Sequence, residues 1–117
     1  MGTSALMTSG QSEKEQVLVD GASIAWDIAQ GTHATVTLGG NRTLANPTNM
    51  KAGGIYVLRA VQDGTGGRTL VYGTAFLFAG GTDIVLTTAT ANAVDVLVFY
   101  CDGTKMLCLM AAKAMAD

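Results

Sequence analysis

The sequence predicts an all-β domain, a β-sandwich of about eight short strands, with a jelly roll as one option for its connectivity. Short runs rich in Val, Ile, Leu, Phe and Thr recur along the chain, and Gly, Asn and Asp clusters separate them roughly every 8–12 residues. The chain also contains 15 glycines and a single proline among its 117 residues. We expect one domain, because domains usually hold about 100–150 residues.

The sandwich is expected to span residues 16–110. Residues 1–15, MGTSALMTSGQSEKE, are polar and show no hydrophobic period, which predicts an N-terminal arm. Residues 111–117, AAKAMAD, favour a helix but are too few for a stable isolated one. We therefore expect a C-terminal tail or a second arm.

The first strands are short. Residues 16–20 and 23–27 predict two strands around a turn, and Trp26 in the second of them is expected in the core, because tryptophan is usually highly buried. Residues 32–38, THATVTL, alternate in polarity, which predicts a half-buried strand with His33 on its polar face. Residues 39–49 contain turn residues and the only proline, and they predict an irregular corner or an edge.

Residues 54–83 are predicted to form the centre of the fold. An apolar run at 55–61, a Gly-rich stretch at 63–67 and a second run after it predict a β-hairpin with a long loop. Both faces of residues 55–61 are apolar apart from Arg59, which predicts cover on both sides. Residues 75–78 and 84–88 predict two more strands.

The strongest strand pattern lies at residues 94–101, VDVLVFYC, and predicts a central strand. A hairpin through Asp102 and Gly103 should connect it to residues 105–110. Cys101 is then expected to face Lys105, so a bridge to Cys108 would need a shifted register. Two buried, reduced thiols are the expected state of the cysteines.

No pattern in the sequence indicates catalysis, and we expect neither an enzyme nor a cofactor. His33 has no second metal ligand or paired base nearby. The stretch 63–68, DGTGGR, lacks the Gly-Lys-Ser/Thr ending of a phosphate loop. The aspartates lie at turns without an Asp-x-Asp-x-Asp run, so calcium in a loop is only a weak alternative.

The charge content indicates association with other chains. Charged residues form 14% of the sequence, against about 25% in typical soluble domains, while hydrophobic residues form 49%. We infer that part of the surface is buried against other subunits, because obligate interfaces resemble a divided core.

The same composition argues against nucleic-acid and membrane binding. The net charge of −2 leaves no broad basic field for nucleic acid. No apolar run approaches the roughly 18 residues of a membrane span, and the N-terminus lacks a signal-peptide pattern. We expect synthesis in a host cytoplasm.

Three segments, LGGNRTLANPTN, QDGTGGRTL and AVDVLVFYCDGTKM, resemble a module of virion proteins in tailed bacteriophages. The resemblance covers about residues 32–110. It implies a β-sandwich virion protein, commonly trimeric, of a kind that occurs near the ends of tail-fibre and other tail proteins or stands alone as a small protein. It does not fix where on the particle the protein is located.

The leading hypothesis is a capsid decoration (cement) protein, a homotrimer that binds the major capsid protein on the assembled head and stabilises it. It depends on length, because 117 residues leave no room for a fibre shaft. The alternative is a tail-fibre or tail-tip component that binds host-surface glycans, for which Trp26, Tyr56, Tyr72 or Tyr100 should be accessible. The expected residues of the oligomer or shell interface are Met7, Val17, Leu18, Tyr56, Arg59, Phe76, Phe78, Met106 and Met110.

Overall fold

The structure is a computed structural model that describes residues 15–115. These residues form nine strands and two short 3₁₀ helices, Ile28–Gln30 and Ala79–Gly81, which confirms the all-β class. The strands are β1 (Glu15–Val17), β2 (Ser23–Ile24), β3 (His33–Leu38), β4 (Arg42–Leu44), β5 (Gly54–Gln62), β6 (Leu70–Tyr72), β7 (Phe76–Leu77), β8 (Val94–Cys101) and β9 (Met106–Met115).

The strands form two sheets. The large sheet has the order β1-β3-β5-β8-β9-β7, and the small sheet has the order β2-β4-β6. From β1 to β6 the chain alternates between the sheets, and each strand pairs in parallel with the next strand of its own sheet. These six strands therefore wind as three turns of a flattened parallel solenoid. β8 then pairs antiparallel with both β5 and β9.

The sandwich prediction is confirmed, but its connectivity is not that of a jelly roll. A jelly roll is built from antiparallel strands in Greek-key order, whereas five of the seven strand pairs formed by residues 15–115 are parallel. Parallel partners are far apart in sequence: Glu15 pairs with His33, and Arg42 pairs with Leu70. The spacing differs from one turn to the next, so no fixed repeat period marks the sequence.

The predicted central hairpin is wrong, because β5 and β6 lie in different sheets. The chain leaves β5 through a corner in which Gly66 and Gly67 both have φ of 75°, a region that suits glycine. The Gln62 side chain spans this corner: its Nε2 donates to the Arg68 carbonyl, and its Oε1 accepts from the Arg68 N–H, each at 2.8 Å. The corner thus directs the chain into the other sheet.

The predictions for β3, β7 and the central β8 are confirmed, whereas the strand expected at residues 84–88 does not form. Side chains anchor that segment instead. The Tyr72 hydroxyl donates to the Ile84 carbonyl at 2.9 Å, and the Thr87 N–H donates to Asp95 Oδ2 at 2.6 Å. These bonds occupy backbone groups that a strand would have paired with a neighbour.

The ends of the described chain both lie in strands. The N-terminal arm expected at residues 1–15 falls outside the described residues, except for Glu15, which begins β1. β9 continues to Met115 and includes most of the segment 111–117 that the sequence analysis treats as a tail.

One hydrophobic core fills the space between the sheets. Trp26 is fully buried, as predicted, and its ring lies 6.4 Å from that of Phe76 and 6.1 Å from that of Phe99, measured between centroids. Aromatic pairs at such distances add to the stability gained from burial. Leu58 and Leu97 contribute from the large sheet.

Both cysteines are free thiols, as predicted, although Cys108 is only half-buried. Cys101 lies opposite Met106 rather than Lys105. The loop therefore contains residues 102–105, one more than predicted. It is held by Asp102 Oδ1, which accepts hydrogen bonds from the backbone N–H groups of Thr104 and Lys105, at 2.9 and 2.7 Å.

Candidate functional site

The large sheet has one face against the core and one face away from it. Alternation along β5 places Leu58 and Ala60 in the core, while Val57 and Arg59 point outward. In β8 the buried residues are Asp95, Leu97, Phe99 and Cys101, so the alternate valines and Tyr100 point outward. We call the surface they form the outer face. It comprises Glu15, Val17, His33, Thr35, Thr37, Ile55, Val57, Arg59, Val61, Val94, Val96, Val98, Tyr100, Leu107, Met110, Ala112 and Met115.

Cross-strand pairing arranges the outer face in rows. One row runs from Val57 of β5 through Val98 of β8 to Met110 of β9. The outward side chains of β8, the central strand of this surface, are half-buried by their neighbours. Residues nearer the margins of the outer face are more exposed: Met110 of β9 is 57% exposed and Val17 of β1 is 77% exposed. The outer face of the central strands is therefore a continuous apolar surface.

One ion pair lies on this surface. Arg59 Nη2 is 3.2 Å from Glu15 Oε1, and Arg59 Nε donates to Glu15 Oε2 at 3.3 Å. A two-point contact of this kind fixes the orientation of both groups. It leaves the neighbourhood of Arg59 with no net charge.

The small sheet presents a different surface. Its outward row consists of Ser23, Thr43 and Val71, two of which carry hydroxyl groups. The outward row of the small sheet is therefore more polar than the outer face, although Val71 within it is 58% exposed.

Residues 26–106 match the model of a protein family described as "Putative phage tail fibre C-terminal domain". The match covers more than half of the chain and extends from the core residue Trp26 to the start of β9. The chain belongs to this family. It is therefore a structural protein of the bacteriophage virion, which confirms the resemblance to a tailed-phage virion module. No curated protein and no solved structure matches the chain.

The loops of this tail fibre family member use their aspartates to hold turns. The Arg42 guanidinium, 2.8 Å away, lowers the pKa of Asp20. Arg68 likewise lowers the pKa of Asp63 by a hydrogen bond at 3.0 Å. Each of these carboxylates also accepts at least one backbone N–H, so each is committed to a turn.

Two buried polar side chains, Gln62 and Asp95, were not singled out in the sequence analysis, and each is 2% exposed. Asp95 accepts the Thr87 N–H at 2.6 Å and the Ala114 N–H at 2.8 Å, so it connects the 84–88 segment to the end of β9. A polar residue at an inward position of an otherwise apolar strand is the pattern that could have indicated this role. Burial also raises the pKa of the Tyr72 hydroxyl well above its ordinary value.

Other kinds of site are not found within residues 15–115. No group of three or more His, Cys, Asp or Glu side chains is arranged to hold a metal ion. This part of the chain contains no pocket, and none of its helices has the length and apolarity needed to span a membrane.

The residues predicted for an interface are divided between surface and core. Val17, Arg59 and Met110 lie on the outer face. Tyr56 is half-buried and packs against the core, and Met7 lies outside the described residues. The remaining four are covered by the chain itself: Leu18, Phe76, Phe78 and Met106.

Strand parity explains this division. In the apolar run at 75–78, Phe76 and Phe78 face the core while Leu77 is exposed. Outer-face residues such as Ile55 and Met115, which are 46% and 52% exposed, are not among the predicted interface residues. Period-two alternation groups these residues correctly but does not show which of two apolar faces is the covered one.

Proposed function

We propose that this chain is a structural module at the end of a bacteriophage tail fibre, with a mechanical rather than a catalytic role. The family match over residues 26–106 is the observation that carries the proposal. It favours the tail-fibre alternative over decoration of the head. The matched region includes strands of both sheets, β3 to β8, so the likeness concerns most of the folded body of the domain.

Capsid decoration, with the major capsid protein as partner, gains no support from the family match. The decoration hypothesis depends on chain length, because 117 residues cannot include a fibre shaft. A domain that occupies only the end of a fibre needs no shaft among its own residues, so a short chain is equally compatible with the tail.

Binding of host glycans stays a prediction. Sugar rings usually stack on accessible aromatic side chains, yet Trp26 and Tyr72 are buried in the core. Tyr100 is half-buried on the outer face, and Tyr56 packs against the core. The buried positions of Trp26 and Tyr72 therefore support a structural role more than a glycan-binding one.

The location can be tested on virions. Particles carrying an epitope tag on this chain would be disrupted, and heads and tails separated on a density gradient. We expect the tag in the tail fraction, with gold-labelled antibody at the fibre ends of intact particles. Recovery of the tag with heads alone would contradict the proposal and restore the decoration hypothesis.

A further inference from the structure

We infer that residues 4–6 of the same chain add a fourth strand to the small sheet, parallel to β2, and so close the open end of the solenoid. The inference goes beyond the proposed function, because it concerns how the first turn is completed and does not depend on where in the virion the domain is located. Three features support it: the open edge of the first turn, its contrast with the other edges, and the spacing of the strands.

The first turn of the solenoid presents an edge that no other strand of residues 15–115 covers, because β1 and β2 are the end strands of their sheets. On the inner side, the Ile24 carbonyl accepts the Ala45 N–H at 2.9 Å. Backbone groups of successive residues in a strand point to opposite sides, so those of Ser23 and Ala25 point to the open side. An added strand would find backbone partners there.

This edge lacks the features that usually keep an edge strand free of partners. Residues 15–28, EQVLVDGASIAWDI, contain no lysine and no proline, and both strand pairings of the first turn run without a bulge. Val17 and Val19 are 77% and 82% exposed. Each carboxylate of the stretch is bonded to a side chain of a later turn: Glu15 to Arg59, Asp20 to Arg42 and Asp27 to Asn49.

The other edges are blunted or bordered. β9 pairs with β7 over two residues only, and its free edge beyond them contains Lys113, the left-handed Ala114 with φ of 57°, and two register shifts against β8. The segment 84–88 lies beside the entry to β6, where the Thr88 carbonyl accepts the Gly67 N–H at 3.0 Å. The first turn is therefore the end of the solenoid that still requires a cap, as the ends of repeat folds do.

The spacing of the strands selects the capping residues. β2 ends at Ile24, nine residues before the first residue of β3, and β4 ends at Leu44, ten residues before the first residue of β5. The residue nine positions before Glu15, where β1 begins, is Leu6. A strand that ends at Leu6 therefore leaves a connection to β1 of the same length as those in the next two turns.

The residue types at these positions suit the surfaces that they would meet. The inward row of the small sheet consists of three buried side chains: Ile24, Leu44 and Tyr72. Leu6 would continue this row with another apolar side chain, and Ala5 would lie beside Ser23 on the outward row. Because the segment is joined to β1, its effective concentration at the edge exceeds that of a separate chain.

Disulfide cross-linking in the full-length chain tests the register. Ala5→Cys is combined with Ser23→Cys, and Cys108, the half-buried native thiol, is replaced by serine. Neighbouring strands lie about 4.8 Å apart, which is within the Cα separation of about 4.4–6.8 Å that a disulfide accepts. Ser9→Cys with Ser23→Cys is the control pair, because position 9 lies beyond the proposed strand. Circular dichroism would confirm that each variant is folded.

Under mild oxidation we expect the first pair to cross-link at least tenfold faster than the control pair, in a product with the 12.0 kDa mass of one chain. Adding Leu6→Asp to the first pair should slow the reaction at least tenfold, whereas adding Thr3→Asp should not. Equal rates for the two pairs, or no cross-link in either, would overturn the inference. A product in which two chains are joined would also overturn it, because the added strand would then come from another copy.

Discussion

The side-chain amide of Gln62 pairs with the backbone of Arg68 as a neighbouring strand would. Its nitrogen donates to the Arg68 carbonyl and its oxygen accepts the Arg68 N–H, each at 2.8 Å. Gln62 is the last residue of β5 and is 2% exposed. The contact lets the chain leave one sheet and enter the other while the backbone N–H and carbonyl of Arg68 keep hydrogen-bond partners.

Replacing Gln62 with alanine should therefore destabilise the fold. The substitution leaves one donor and one acceptor of Arg68 without their partner, and each such loss costs about 1–3 kcal/mol when the group is buried. Because Arg68 is only half-buried, we expect a total near the lower end of this range, a fall in the free energy of unfolding of about 2 kcal/mol, measured by urea denaturation. Thr43→Ala, on the exposed row of the small sheet, serves as the control and should change it by less than about 0.5 kcal/mol. Equal stability of the two variants would show that the corner does not depend on Gln62.

Asp95, which lies opposite Ala60 on the neighbouring strand β8, should be equally important. It is 2% exposed and accepts the N–H groups of Thr87 and Ala114. Asp95→Ala should lower the free energy of unfolding by about 2–4 kcal/mol, since it removes two bonds to a carboxylate. Asp95→Asn keeps one acceptor oxygen and should lower the free energy of unfolding by a smaller amount. Hydrogen exchange should be faster at Thr87 and Ala114 in both variants, and unchanged exchange there would contradict the assigned role.

Tyr72 should make the protein sensitive to alkali. Burial raises the pKa of its hydroxyl, which donates to the Ile84 carbonyl at 2.9 Å. A group with a raised pKa in the folded state stabilises the fold fully below its unfolded pKa of about 10, and this contribution is lost as the pH rises further. Tyr72→Phe should cost about 1 kcal/mol at pH 7 and flatten the fall in melting temperature above about pH 10. An alkaline slope equal to that of the wild type would contradict this account.

Acid should weaken the turns held by aspartates. The pKa of Asp20 is lowered by its bond to Arg42, and that of Asp63 by its bond to Arg68. Groups with lowered pKa stabilise the fold above their unfolded value of about 3.9, and the contribution disappears as pH falls through the folded value. We expect melting temperature to be nearly level from pH 7 to about pH 5 and to fall below about pH 4. The melting temperature of the double variant Asp20→Asn, Asp63→Asn should fall less steeply below about pH 4. The same fall in melting temperature as in the wild type would contradict the prediction.

Local sequence patterns were sufficient for the strands that are regular and long. Alternation in residues 32–38 and the apolar run at 94–101 predict β3 and β8, and Trp26 is correctly placed in the core. Period-two patterning carries this information because one face of each strand must be buried. The family resemblance, carried by segments from three separate parts of the chain, was also sufficient to predict a virion protein.

The pairing of strands could not be predicted in the same way. Glycines at 66 and 67 indicate that the chain turns, but not whether it returns to the same sheet or crosses to the other. That choice depends on the Gln62 side chain and on parallel partners distant in sequence. The outer face was missed for a related reason, since both faces of β8 are apolar and only the three-dimensional arrangement shows which one meets the core.

Methionine oxidation in the full-length wild-type protein tests most directly the prediction, made from the low charge content, that other subunits cover part of the surface. In a single chain Met110 and Met115 are 57% and 52% exposed, whereas Met106 is fully buried. Brief peroxide treatment followed by peptide mass spectrometry would give the oxidation rate of each residue at high and low protein concentration. If copies cover the outer face, Met110 and Met115 should react nearly as slowly as Met106 at high concentration and become reactive on dilution. Fast oxidation of both residues at every concentration, with Met106 alone protected, would contradict the account.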